Sequence, residues 1–133
     1  MESAEETAAA VADVARFLLQ RSKGRVLIDA ILPRFDAVGD LGVIAPTNEA
    51  LRARAAALAA EFRDESSGAA RVAFADCTAA PFSAATAGVT MPDNLHPSSE
   101  GYRQLFDGCL QPALEALEAA GRASPGHREA VSR

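Results

Sequence analysis

A chain of 133 residues can bury one modest core and not two. Apolar residues make up 49% of it, but much of that is alanine, with no tryptophan and six phenylalanines; this is a globular composition whose core must rest on Leu, Val, Ile and Phe. The net charge of −5 and the lack of any Lys/Arg cluster exclude nucleic acid and anionic membrane as principal partners.

The N-terminal stretch MESAEETAAAVADVARFLLQR has no basic leader before its apolar residues, so no signal peptide is expected. Ser3 stands three residues before Glu6, the capping-box spacing of a helix start. Val11, Val14, Ala15, Leu18 and Leu19 then repeat at helical period, predicting one apolar face; Ser22-Lys23-Gly24 ends the helix. RVLIDAILP, residues 25–33, is rich in β-branched residues and stops at Pro33. Such a nearly continuous apolar run suits a strand covered on both faces, as in a parallel sheet. Asp29 in its middle is a cost unless it finds a partner or lies near an edge. The run is far too short to span a bilayer.

A second helix is predicted from near Thr47, with Leu51, Ala55, Leu58 and Phe62 on one side, ending over residues 64–68. RVAFAD, residues 71–76, reads as a second strand. The last helix is predicted from about Ser98, with Glu100 in its first turn, where the helix dipole favours an acid. Tyr102, Leu105, Phe106, Cys109, Leu110, Ala113, Leu114 and Leu117 form its apolar stripe. Pro112 must kink or restart this helix, since it removes a backbone hydrogen bond. Residues 121–133 read as a polar, disordered tail behind a single domain over residues 1–120. The order α-β-α-β-α predicts an α/β fold with a parallel crossover.

The segments entering the two strands are short, whereas those leaving them, residues 33–46 and 76–97, are long. Structureless loops beyond about 12–15 residues are usually functional, and open α/β sheets place ligands at the carboxyl ends of their strands. The second long loop carries Asp93-Asn-Leu-His96-Pro97. In one reading, Asp93 accepts a hydrogen bond from one ring nitrogen of His96, and the other nitrogen moves a proton to and from a serine hydroxyl. In the other, Asp93 caps a turn, Asn94 takes left-handed geometry and His96 is a surface residue.

DNLHPSSEGYRQLFDGCLQPALEAL resembles the terminal block of the SGNH (GDSL-type) hydrolases, in which D-x-x-H-P precedes a helix containing Gly-Tyr. VLIDAILPR, with Asn48 in PTNEAL, is similar to the preceding strand and helix of the branch that includes the platelet-activating-factor acetylhydrolase catalytic subunits. The resemblance runs from about residue 4 to residue 118. It implies a flavodoxin-like three-layer α/β/α fold, here its C-terminal α-β-α-β-α portion, and hydrolysis of a small ester. His96 would be the base and Asp93 its orienting acid, with no cofactor and no metal. The family's Gly-Asp-Ser nucleophile block and Gly-x-Asn-Asp oxyanion block have no counterpart here; VGDLG at residues 38–42 has Gly-Asp without the serine. The chain alone is therefore expected to be inactive. A non-catalytic interaction module retaining part of the fold is the alternative. The strand at residues 26–32 would also lack a neighbour, which implies a homo-oligomer or a partner chain at an exposed sheet edge.

Other residues have plainer expected roles. Arg34 borders the site as a surface or ion-pair residue, and Ser98 and Ser99 are helix caps. Cys77 and Cys109 form neither a CxxC nor a zinc spacing, so reduced thiols in a cytosol-like, cytoplasmic setting are expected. Cys77 is then a small buried or idle thiol, with a Cys77–His96 nucleophile pair as the other option, and Cys109 belongs to the core. Asp76, Asp93 and His96 could hold a metal, though their spacing does not demand one. His127 lies in the tail.

Overall fold

A computed structural model of the protein describes residues 3–36, 42–78 and 87–122. The expected tail beyond residue 122, His127 and most of the VGDLG stretch lie outside them. In chain order the elements are α1 (Ala4–Arg21), β1 (Val26–Asp29), α2 (Ile44–Glu61), β2 (Val72–Ala75), α3 (Ala87–Thr90), α4 (Ser99–Leu105), a π-helical turn (Phe106–Leu110) and α5 (Gln111–Arg122). The protein is a mixed α/β fold, and among the described residues its sheet consists of β1 and β2, paired parallel with Val26 opposite Val72 and Asp29 opposite Ala75.

Helices cover both faces of this sheet, and strand alternation sorts the two cores. Val26, Ile28, Val72 and Phe74 pack with α1 and α2, through Ala8, Ala12, Ala15, Leu19, Leu51, Ala55 and Leu58. Leu27 and Ala75 face the other way and pack with Met91, Leu105, Cys109, Leu110 and Ala113. The buried face of α1 is therefore only partly the predicted one: Ala15 and Leu19 of the predicted stripe are buried, but Val11, Val14 and Leu18 are not. The small residues Ala8 and Ala12 go inward in their place. Alanines at i, i+4 and i+7 let α1 approach the sheet and α2 closely, which a valine and leucine stripe would prevent.

Several elements begin or end for identifiable reasons. Ser3 caps α1 through the predicted capping box, with Ser3 Oγ accepting from the Glu6 N–H and Glu6 returning the bond to the Ser3 N–H. Strand β1 is shorter than residues 25–33. Beyond Ala30 the chain bonds to a side chain: the Ile31 N–H donates to Asn48 Oδ1 (2.7 Å) and Asn48 Nδ2 donates to the Ile31 carbonyl (3.0 Å). Helix α2 starts three residues earlier than predicted, at Ile44; Pro46 fits there because first-turn N–H groups have no helical acceptor. Pro112 disturbs the last helix as expected. The turn before it widens so that the Gln111 N–H reaches the Phe106 carbonyl five residues back, which accommodates a ring that would otherwise meet the carbonyl of residue 108. Tyr102 and Phe106, predicted apolar-face residues of this helix, are largely exposed. Gly121 and Arg122, placed in the tail by the sequence reading, are helical.

Candidate functional site around Asp93 and His96

The DNLHP turn is built between α3 and α4 and held at both ends. Ser98 is the N-cap of α4: its Oγ accepts from the Gly101 N–H (3.0 Å) and donates to the Val89 carbonyl (2.7 Å). Both bonds commit this hydroxyl to the cap, as expected. The Ser98 N–H donates to the Thr90 carbonyl (2.8 Å). Gly101 completes the clamp, since a Cβ there would collide with that same Thr90 carbonyl and crowd Pro97. The glycine of the Gly-Tyr pair thus allows α4 to sit directly against the end of α3.

Within the turn, Asp93 does two things at once. Its Oδ1 accepts from the backbone N–H groups of Leu95 (2.9 Å) and His96 (2.6 Å), and its Oδ2 lies 2.6 Å from His96 Nδ1. Asn94 takes the left-handed conformation, φ 63°, a geometry asparagine tolerates. The two sequence readings of DxxH are therefore not exclusive: one carboxylate oxygen caps the turn and the other orients the imidazole. A carboxylate only accepts, so Nδ1 carries the proton and Nε2 presents its lone pair. Nε2 makes no hydrogen bond among the described residues, and the side chain is 73% exposed. The backbone N–H of His96, its ring and the Leu95 N–H together hold the Asp93 carboxyl well below the usual carboxylate range.

The turn is tied to the carboxyl end of the sheet. The Phe35 N–H, in the segment leaving β1, donates to the Asn94 carbonyl (2.6 Å). Phe35 also lines a cleft beyond both strands with Arg34, Ile44, Asn48, Asp76 and Thr78. Arg34 is an ion-pair residue, as expected, gripping Asp36 through Nε and Nη2. Asp76 is likewise engaged: its Oδ1 takes the Thr78 hydroxyl and N–H while Oδ2 pairs with Arg52. Those contacts, the Thr78 hydroxyl foremost, lower its pKa. No group of three His, Cys, Asp or Glu side chains that could hold a metal occurs among the described residues.

The cysteines correct the sequence reading. Cys77 and Cys109, 32 residues apart, form a disulfide with a Cα–Cα distance of 6.0 Å; they are neither idle nor reduced. Cys77 leaves β2, is 2% exposed and belongs to the core beneath α4 and α5, with Cys109 packed against it. With both sulfurs bonded there is no thiolate for a Cys77–His96 pair. Disulfides persist in oxidising compartments, so the inference of a reducing cytosol from the cysteine count loses its support. Among the described residues, no helix is long and apolar enough to cross a membrane.

Spacing alone could not have found the disulfide or the Gly101 contact, though both Gly101 and Cys109 lie inside the quoted terminal block. No protein-family profile, curated protein or solved structure matches the chain.

Proposed function

We propose that Asp93 and His96 are the acid and base of an SGNH-type ester hydrolase site, within a flavodoxin-like α/β/α fold whose C-terminal portion this chain supplies. The observation that carries the reading is the 2.6 Å contact from Asp93 Oδ2 to His96 Nδ1, which leaves Nε2 outward. The position of the turn beside the carboxyl ends of two parallel strands, with helices on both sheet faces, supports it.

In this mechanism His96 Nε2 takes the proton of a serine hydroxyl as its oxygen attacks the ester carbonyl. Asp93 stabilises the imidazolium, and His96 then returns the proton to the departing alkoxide. A water repeats the cycle on the acyl-enzyme. The serine and the oxyanion donors come from a segment other than these 133 residues, because the blocks that hold them in the family have no match in the sequence. The substrate is a small ester, and no cofactor is needed.

The test is fluorophosphonate labelling and short-chain aryl-ester turnover, for the chain alone and for the chain co-expressed with a segment carrying Gly-Asp-Ser and Gly-x-Asn-Asp. The chain alone should be inert, since one oxyanion donor is worth about 10²–10³ in rate and the nucleophile is missing as well. The complex should turn over, His96→Ala should abolish that activity with folding intact, and Asp93→Asn should reduce it by orders of magnitude. Labelling of the chain alone, or full activity of the His96→Ala complex, would refute the proposal. The second reading is a non-catalytic interaction module. The missing nucleophile block favours it, and failure of every companion segment to restore turnover would select it.

A further inference from the structure

The two faces of the sheet are covered unequally. On the α1–α2 face, Leu19, Ile28, Leu51, Leu58 and Val72 are buried among close-packed alanines. On the other face, among the described residues, the buried set is Ala75, Ala87, Met91, Leu105 and Cys77 itself. Met91 directly precedes the DNLHP turn and Leu105 lies in α4, which follows it. These two are the large apolar side chains fully buried beneath the layer that carries the turn. A layer with so little buried apolar surface opens more readily than the rest of its domain. The Cys77–Cys109 disulfide ties it covalently to the segment leaving β2.

The bond is placed to control the turn. It encloses α3, the DNLHP turn and α4. Its far anchor, Cys109, sits in the π-helical turn before Pro112, where the helix is already interrupted. The two sulfurs also differ in access. Cys77 is 2% exposed, whereas Cys109 is partly buried and follows Gly108, which is exposed with open space around it. We propose that the Cys77–Cys109 disulfide is a redox latch on the Asp93–His96 turn. Oxidised, it holds the helical layer carrying the turn against the sheet; reduced by a dithiol, it lets that layer open while the α1–α2 side stays folded.

One thiolate of the dithiol attacks Cys109 Sγ, the more accessible sulfur; the S–S bond breaks and Cys77 Sγ leaves as a thiolate that takes a proton. The second thiolate of the dithiol then attacks its own sulfur in the mixed disulfide. Cys109 leaves and is protonated, and the dithiol departs as a cyclic disulfide. Two electrons and two protons have passed from the dithiol to the protein. Apolar surroundings disfavour a thiolate, so Cys77 leaves as water reaches it, and the layer opens in the step that frees it. Without the bond, the open state also regains its loop-closure entropy. Opening releases the Phe35–Asn94 hydrogen bond that ties the turn to the end of the sheet. That a catalytic site is what the latch regulates rests on the hydrolase reading.

Residue-resolved amide hydrogen exchange of the full chain tests it, with the protein oxidised, reduced with dithiothreitol, and reoxidised with glutathione disulfide. On reduction, the Phe35 and Ser98 amides, which donate to the Asn94 and Thr90 carbonyls, should exchange roughly a hundredfold faster. The Val26 and Arg71 amides, which donate to the Arg71 and Phe62 carbonyls on the other side of the domain, should change little. Reoxidation should restore the slow pattern, and Cys77→Ala/Cys109→Ala should show the fast one with or without reductant. Equal acceleration at Val26 and Arg71 would make the bond a staple of the whole domain and overturn the latch. Unchanged exchange at Phe35 and Ser98, or protection that reoxidation does not restore, would equally overturn it. None of these readouts needs ester turnover, so the latch and the hydrolase site can fail separately.

Discussion

Gly101 touches the Thr90 carbonyl so closely that a Cβ on residue 101 would overlap it. That carbonyl also accepts the Ser98 N–H, so the contact fixes both ends of the turn holding Asp93 and His96. Gly101→Ala should therefore destabilise the protein by about 1–3 kcal/mol, the usual cost of overpacking a close contact, despite the better helix propensity of alanine. Chemical denaturation would give the magnitude. Chemical-shift changes centred on residues 90–98 would show that the site turn moves with it.

The Cys77–Cys109 bridge closes a loop with a sequence separation of 32 that contains the whole site turn. On the chain-entropy account its loss should cost about 3–4 kcal/mol. For a domain of this size that corresponds to a fall in Tm of about 10–15 °C. The double variant Cys77→Ala/Cys109→Ala, compared with wild type under oxidising and reducing conditions, checks this. Reduction should lower the wild-type Tm and leave the variant unchanged.

Acid should weaken the same region. Hydrogen bonds from Arg103 and then Gln104 lower the Glu100 pKa from 4.5 to about 2, and the bonds within the DNLHP turn lower that of Asp93. A carboxyl with a depressed folded pKa contributes stability that is complete above its unfolded pKa and lost as pH falls through the folded one. Stability should thus decline from about pH 4.5 toward pH 2, with the loss shallower in Glu100→Gln and in Asp93→Asn. Both groups are solvent-exposed, so the slopes should be small. Denaturation midpoints across this pH range measure them.

Asp29 should behave in the opposite sense. Burial raises its pKa, the Ala30 N–H partly offsets this, and the nearby Asp76 carboxylate adds to the rise. The unfolded chain therefore ionises first, and stability falls as pH rises through the unfolded and then the folded value. Asp29→Asn should raise the Tm at neutral pH. The difference should vanish at about pH 3, below the usual Asp range, where wild type is protonated. Paired thermal scans at the two pH values decide it.

The sequence by itself determined the features whose partners lie within about five residues. The Ser3–Glu6 capping box, the Ser98 cap, the disturbance at Pro112 and the Asp93 turn with its left-handed Asn94 all join near neighbours, so spacing alone specifies their bonds. The two strands were legible for a related reason, because a run of β-branched residues between breakers has few other uses in a small domain. Tertiary structure decided which stripe of α1 goes inward, since the choice depends on how closely the sheet and α2 approach. It also decided that Cys77 meets Cys109, that Asn48 ends β1 by bonding Ile31, and that Gly101 needs to be glycine. Each of these joins residues 11 to 32 positions apart, or a helix to a neighbour that the chain reaches only after a crossover. Hydrophobic pattern records that a residue is buried, but not against what, and these contacts consist of the against-what.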